Sequence, residues 1–158
     1  MKSNVAILFF MLTFYCFGAG MLDSFAIYHS WLFVGEEEFA AVHQAAGQRI
    51  VLFFVVPTFI LTVVTIIMFW HRPAGIPRRL IWLAFAFQMV SWLSSALIQI
   101  PIQAQLSQGK DDELLNKLIT TDWIRIVAML AYVIVVFRII RRLQTYHLQR
   151  LPARALSH

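Results

Sequence analysis

The sequence predicts an all-α membrane protein, a four-transmembrane-helix bundle with an interfacial, amphipathic segment between the first two helices. Of its 158 residues, 60% are hydrophobic and only 13% are charged. This composition leaves too little polar surface to cover a soluble domain. The apolar residues gather in four runs, each near the roughly 20 residues with which a helix crosses a bilayer core of about 30 Å. We therefore expect one membrane domain over residues 1–158.

The four runs differ in how many polar groups they carry. The predicted spans cover residues 5–22, 50–70, 80–102 and 123–140. The first two contain no charged residue, and the third contains amides and hydroxyls but no charge. The fourth has Arg125 and Arg138 near its ends, where long side chains can extend to the membrane interfaces.

The charges are distributed unevenly along the chain. Nine of the thirteen basic residues lie at residue 2, in residues 72–79 or in residues 138–154, and all eight acids lie between residues 23 and 122. By the positive-inside rule both termini are cytoplasmic and the acidic loops face outward. We expect the protein in a bacterial inner (plasma) membrane. The net charge of +5 thus reflects topology. Without a soluble basic module, we expect no nucleic-acid partner.

The sequence lacks the motifs of several enzyme classes, which excludes those classes. Cys16 is the single cysteine, so the chain cannot form an internal disulfide or shuttle electrons through a cysteine pair. The sequence also contains no P-loop, no dinucleotide-binding glycine motif and no HExxH zinc motif.

The third span carries a polar stripe. At about 100° per residue, Gln88, Trp92, Gln99 and Gln103 share one face of the helix. Amides inside hydrocarbon need partners, so this face is expected to line the bundle interior or a water-filled cavity. We predict these four residues and Trp31 as a substrate-binding set. The alternative is helix packing, in which Pro101 bends the helix end and the amides bond within the protein.

The acidic segments contain the predicted catalytic residues. His43 is expected to face inward as a general base. Asp23, Glu38 or Asp122 would orient it. Arg125 would stabilise developing negative charge. The alternatives are an interfacial ion-pair belt, with Asp122 and Arg125 paired one helical turn apart, and a solvated helix start at Glu38.

His29 and His43 are also the candidate metal ligands. Imidazoles with carboxylates suit a divalent transition metal such as iron, copper or zinc. Fourteen residues would separate them by about 21 Å on one straight helix, so a shared metal requires a chain reversal near Gly35.

Three stretches of the sequence and one proline resemble one known family. They are "WLFVGEEEFAAVH" at residues 31–43, Pro57, "QIPIQAQL" at residues 99–106 and "TDWIR" at residues 121–125. The sequence is similar here to the anthrone-oxygenase-like family of small four-helix integral membrane proteins. The resemblance implies an oxygenase or related oxidoreductase that acts on an aromatic or lipophilic substrate.

Two functions therefore remain open from the sequence. One is a membrane-embedded, oxygenase-like oxidoreductase that acts on a small lipophilic or aromatic molecule in a polar pocket near the outer face. The other is a non-catalytic lipophilic-ligand-binding or accessory protein. In both, membrane lipids are partners, and the lateral surface with Gly18 and Gly20 leaves room for a homo-oligomer.

Overall fold

The computed structural model describes the backbone of residues 2–155 and the side chains of residues 4–149. The predicted domain, residues 1–158, extends slightly beyond this range. Lys2, Arg150 and Arg154, which contribute to the predicted orientation, have side chains outside the described set.

The structure confirms an all-α bundle with four helices long and apolar enough to cross a membrane. Helix 1 covers Asn4–Phe33, helix 2 Glu36–His71, helix 3 Arg78–Leu106 and helix 4 Asp112–Gln149. Within residues 2–155 there is no β-strand. The α-helical segments of the structure are Lys2–Leu22, Tyr28–Ser30, Glu36–Ile50, Val56–His71, Arg78–Ser94, Ile100–Leu106, Asp112–Thr121 and Trp123–Ala155.

The four helices form a closed square. Helix 1 packs against helices 2 and 4, and helix 3 packs against the same two neighbours. Short turns join consecutive helices, which makes neighbours antiparallel. We call the end with turns 34–35 and 107–111 the acidic end. The opposite end, with turn 72–77, is called the arginine end.

The segment predicted between the first two spans consists of extensions of helices 1 and 2. Helix 1 continues to Phe33, and helix 2 begins at Glu36 after a turn at Gly35. Tyr28 and Trp31 are buried, so this part of helix 1 caps the bundle. Lys110 ties the two turns of the acidic end together, because its Nζ donates to the carbonyls of Leu32 and Val34 at 3.0 and 2.9 Å.

Two separate hydrophobic cores hold the bundle together, and space lies between them. We call them the arginine-end core and the acidic-end core. The arginine-end core includes Phe9, Leu61, Met68, Ile81, Val136 and Ile139. The acidic-end core contains Tyr28, Trp31, Phe39, Ile102, Leu106, Leu115 and Leu118. All four helices contribute to each core, so the level between them is enclosed by the same four helices.

Each of the first three helices contains one π-helical turn at this intermediate level. The turns are Asp23–Ile27, Val51–Val55 and Ser95–Gln99. The latter two precede Pro57 and Pro101, each of which lacks an N–H and collides with the carbonyl four residues before it in an α-helix. A wider turn relieves that collision. The bend predicted at Pro101 is therefore accompanied by a π-turn.

The space around Gly20 and Gly18 shows how tightly helix 1 is packed at each position. A Cβ at Gly20 would lie 2.7 Å from Met129 Sδ and 3.2 Å from Phe54 Cζ, whereas a Cβ at Gly18 meets nothing within 4 Å. Gly18→Ala should stabilise by about 0.5–1 kcal/mol through helix propensity. Gly20→Ala should gain about 1 kcal/mol less, because the Met129 side chain and the Phe54 ring must shift to make room for the added methyl group. Thermal or SDS unfolding of both variants in mild detergent measures the difference. Equal stabilisation would contradict the close contact.

Candidate functional site

A cavity of about 150 Å³ occupies the level between the two cores. All four helices contribute to its wall, which is mostly apolar with a few polar groups. The lining residues include Thr13, Cys16, Asp23, Tyr28, Phe54, Thr58, Gln88, Trp92, Gln99, Gln103, Arg125 and Tyr132. An apolar wall with few polar groups is typical of small-molecule sites.

Part of the cavity wall on helices 2 and 3 consists of residues that are themselves partly exposed on the bundle. Ile100 lines the cavity, and 61% of its surface is exposed on the outside. The lining residues Val55 and Trp92 are half-buried. Helices 2 and 3 pack together along Val56–His71 and Arg78–Ser94, nearer the arginine end. The wall of the cavity is therefore thin where helices 2 and 3 diverge, on a side that faces the apolar surroundings of the bundle.

A buried ion cluster forms the acidic-end wall of this cavity. Arg125 is 4% exposed, and Asp23 and Asp122 are 1% exposed each. Arg125 Nη2 donates to Asp23 Oδ2 at 2.8 Å, and Arg125 Nε lies 2.8 Å from Asp122 Oδ1. The pairing of Asp122 with Arg125 was predicted from their spacing. The bond to Asp23 joins helix 1 to helix 4 across 102 positions of the chain.

Further groups enclose the guanidinium of Arg125. Nη2 also donates to Ser24 Oγ at 3.2 Å. The rings of Tyr28 and Phe54 each lie 5.5 Å from Cζ, a favourable cation–π distance. Two carboxylates against one guanidinium give the cluster a formal charge of −1, and Asp23 Oδ1 has no hydrogen-bond partner among the described residues.

Three members of the predicted polar stripe line the cavity and bond within the protein. Gln103 Nε2 donates to the Tyr28 hydroxyl at 2.9 Å. Gln99 bonds to Ser94 on its own helix at 3.2 Å. Trp92 Nε1 donates to Thr62 Oγ1 of helix 2 at 3.0 Å. These contacts agree with the packing alternative.

Gln88 is different. It lines the cavity and is 5% exposed, yet neither its amide nitrogen nor its oxygen has a hydrogen-bond partner within the described part of the chain. A buried polar group without a partner costs about 1–3 kcal/mol. Such a group is rare in proteins, so this amide is the strongest candidate for contact with a bound molecule.

The structure does not bring His43 to the acids as expected. Its ring centroid lies 4.7 Å from that of Trp31 and 5.6 Å from that of Phe39. Its Nε2 is buried and has no hydrogen-bond partner among the described residues. Neither His43 nor Trp31 lines the cavity. The aromatic rings of the acidic-end core surround the imidazole, and the sequence analysis did not anticipate this packing.

Glu38 also lies away from the ion cluster. Its side chain is exposed, and its carboxylate folds back over Gly35 at the start of helix 2. A Glu three residues after the N-cap residue, which here is Gly35, commonly reaches back in this way. Its position agrees with the alternative of a solvated helix start.

The predicted metal ligands do not fit a metal site. The described residues contain no group of three His, Cys, Asp or Glu side chains placed to hold a metal ion. His29 is exposed, and its Nδ1 lies 3.1 Å from the carbonyl of Ser24. His43 is buried among aromatic rings. The turn at Gly35 does reverse the chain, but it does not assemble the two histidines with carboxylates.

Sequence reasoning missed Tyr28 and Phe54 as members of the site. In an α-helix, Tyr28 would lie about 140° around the axis from Asp23, which is five residues earlier. The π-turn changes this, because the Tyr28 N–H donates to the Asp23 carbonyl. Residues five apart then stack one turn above the other. An aromatic residue five positions after an intramembrane acid was the available signal.

The fold and the site define a four-helix membrane protein with an internal cavity and a buried ion cluster. In comparisons with protein-family models, curated proteins and solved structures, the chain matches none. The resemblance to the anthrone-oxygenase-like family stays a prediction.

Removal of Arg125 should destabilise the bundle strongly. Arg125→Gln leaves two buried carboxylates without a cation, and breaking a buried ion pair from one side costs about 3–5 kcal/mol. Arg49→Gln is the matched control, because Arg49 is exposed and has no ion pair with any described residue. Unfolding of both variants in mild detergent gives the comparison. A loss below about 1 kcal/mol for Arg125→Gln, typical of exposed pairs, would contradict a buried cluster.

Proposed function

We propose that this protein binds a small lipophilic or aromatic molecule that enters the cavity from the bilayer between helices 2 and 3. The observation that carries the proposal is the buried, unpartnered amide of Gln88 in the wall of an otherwise largely apolar cavity. In the orientation predicted from the charges, the acidic end and the ion cluster lie toward the outer face of the membrane.

The cavity volume limits the size of the ligand. An engineered apolar cavity of 150 Å³ in another protein holds benzene, and this cavity has about the same volume. The part of the ligand inside the bundle is therefore about one ring in size. A longer apolar tail is compatible with the site, because Ile100 extends the wall of the cavity to the bundle surface.

Gln88 defines the polar group of the ligand. An amide side chain both donates and accepts hydrogen bonds. A carbonyl accepts from its nitrogen, and a hydroxyl both accepts from the nitrogen and donates to the oxygen. The ligand class is therefore a small ring with a carbonyl or hydroxyl substituent. A pure hydrocarbon would leave the amide unpaired and bind more weakly by about 1–3 kcal/mol.

Gln88→Leu should separate ligand binding from stability. Leucine has a similar volume and no polar atoms, so the ligand-free protein should become more stable by about 1–3 kcal/mol. The same variant should lose the co-purifying ligand. Native mass spectrometry measures ligand occupancy, and thermal unfolding in detergent measures stability.

Gln105→Leu is the control for this pair of effects. Gln105 is exposed and bonds only to the Pro101 carbonyl among described groups, at 3.2 Å. It should leave ligand occupancy unchanged. If Gln88→Leu instead destabilises the protein and keeps its ligand, the amide has a structural role and the binding proposal is wrong.

An oxygenase-like or related oxidoreductase activity on the bound molecule is the second candidate. The observation that favours it is Asp23, a buried carboxylate that lines the cavity beside Arg125 and Tyr28. A carboxylate in this position can accept a proton from the ligand, and Arg125 and Tyr28 can stabilise the resulting anion. Dioxygen would be the oxidant, and the resemblance to the anthrone-oxygenase-like family supports this reaction class.

A comparison of two carboxylate variants tests the enzyme candidate. Asp23→Asn and Asp122→Asn each remove one carboxylate from the cluster, but only Asp23 lines the cavity. Extracted ligand is analysed by mass spectrometry after aerobic and anaerobic incubation. In an enzyme, wild type and Asp122→Asn yield a product that has gained oxygen or lost hydrogen under air, whereas Asp23→Asn yields the unchanged ligand. If all three proteins yield unchanged ligand, the enzyme candidate is wrong and only the binding function stands.

A further inference from the structure

A second site lies at the arginine end, on the outer surface between helices 3 and 4. It is a groove of about 690 Å³. We call it the arginine groove and define it by the side chains that line it and carry the argument: Arg79, Leu80, Leu83, Arg138, Arg141 and Arg142. It shares no lining residue with the cavity described above.

The groove concentrates positive charge without a counter-charge among the described side chains. Arg138, Arg141 and Arg142 are spaced three and four residues apart, so helix 4 presents them on one face. Arg79 joins them from the first turn of helix 3. None of the four guanidinium groups forms an ion pair with a described residue. All eight acids of the sequence lie between residues 23 and 122, and none of them lines the groove.

The groove lies where the apolar surface of the bundle ends. The predicted apolar span of helix 3 begins at Leu80 and that of helix 4 ends near Ile140, so both boundaries fall at the groove. Trp70 and Trp82 are exposed at this end, with 67% and 60% of their surfaces accessible. Exposed tryptophans mark the headgroup level of a bilayer. The guanidinium groups are therefore at the depth of lipid phosphates.

An apolar path leads from the arginines toward the middle of the membrane. Leu83 lies one turn from Arg79 and Leu80 on helix 3, and Ile134 lies one turn from Arg138 on helix 4. Leu83 is 39% exposed and Ile134 is 55% exposed. Phosphate-binding groups at one end of a path and exposed aliphatic side chains along it fit a molecule with an anionic head and acyl chains.

We propose that the arginine groove binds an anionic phospholipid, with the phosphate among the guanidinium groups and an acyl chain along Leu83 and Ile134. Arginine binds phosphate through two parallel N–H bonds, which favours it over lysine for this task. Basic pockets between transmembrane helices are suited to acidic headgroups. The apolar path favours the lipid over a free phosphate ion, because a phosphate ion has no apolar part that could contact it. This site is independent of the proposed function of the cavity.

Native mass spectrometry of the full chain with added lipids tests the proposal. Delipidated protein receives either phosphatidylglycerol or phosphatidylcholine with the same acyl chains. The groove variant is Arg79→Gln with Arg142→Gln. The control variant is Arg49→Gln with Arg78→Gln, which removes the same two charges from exposed positions outside the groove. Arg78 is a close match, because it lies beside Arg79 in the same helical turn.

We expect wild type and the control variant to retain phosphatidylglycerol in preference to phosphatidylcholine. The groove variant should lose affinity for phosphatidylglycerol about tenfold. Equal losses in the two variants would show general charge attraction and overturn the site. Equal retention of both lipids by wild type would also overturn it.

Two further measurements keep the test decisive. Inorganic phosphate is added at the same concentration, and thermal protection by it equal to that by phosphatidylglycerol would identify a free-anion site and reject the lipid. If the groove variant fails to fold, wild type is crosslinked with a photoreactive phosphatidylglycerol. Labels on helices 3 and 4 near Leu83 and Ile134 support the groove, and labels spread over all four helices reject it.

Discussion

The buried pairing of Arg125 with Asp23 and Asp122 is the constraint on which the rest of the structure depends. Charged groups at this level of a membrane bundle are costly unless each has a partner. The bond from Arg125 to Asp23 holds helices 1 and 4 in one rotation and one register. That rotation turns Tyr28 toward the guanidinium and lets Gln103 of helix 3 reach the Tyr28 hydroxyl. Three helices are thus tied together by polar contacts at one level.

The cavity follows from the way this polar level interrupts the packing. Aliphatic and aromatic side chains fill the arginine-end core below it and the acidic-end core above it. Between them, three π-turns widen the helices, and two of these turns precede prolines. Wider turns and polar side chains do not interdigitate as closely as leucine and phenylalanine do. Space therefore remains beside Gln88, and its amide is left without a partner among the described residues.

The two ends of the bundle present different chemistry to the membrane. Toward the acidic end, the cavity is lined by the partly exposed Ile100 and carries the proposed ligand site. At the arginine end, four guanidinium groups that form no ion pair with any described residue line a groove at the proposed depth of lipid phosphates. Helices 3 and 4 contribute to both places, and no residue lines both. In this arrangement the bilayer is both the proposed source of the ligand and the proposed anchor of the helices that bind it.

Local features of this protein were determined by the sequence alone. The length and composition of the apolar runs identify four membrane helices, since a bilayer requires about 20 such residues for each crossing. Helical periodicity places Gln88, Trp92, Gln99 and Gln103 on one inward face, and a spacing of three pairs Asp122 with Arg125. These predictions depend on residues within one helix, where 100° per residue determines which side chains are neighbours.

Only the tertiary structure decided which helices meet, and with which faces. The contact between Asp23 and Arg125 spans 102 positions, and no local pattern specifies it. His43 was expected among the acids, yet it packs on Trp31 and Phe39 because the end of helix 1 folds over the bundle. Tyr28 reaches the cluster because a π-turn changes the rotation per residue on which the sequence reading relied. Periodicity gives the face of a helix, whereas the rotation of one helix against another is determined by the packing of the whole bundle.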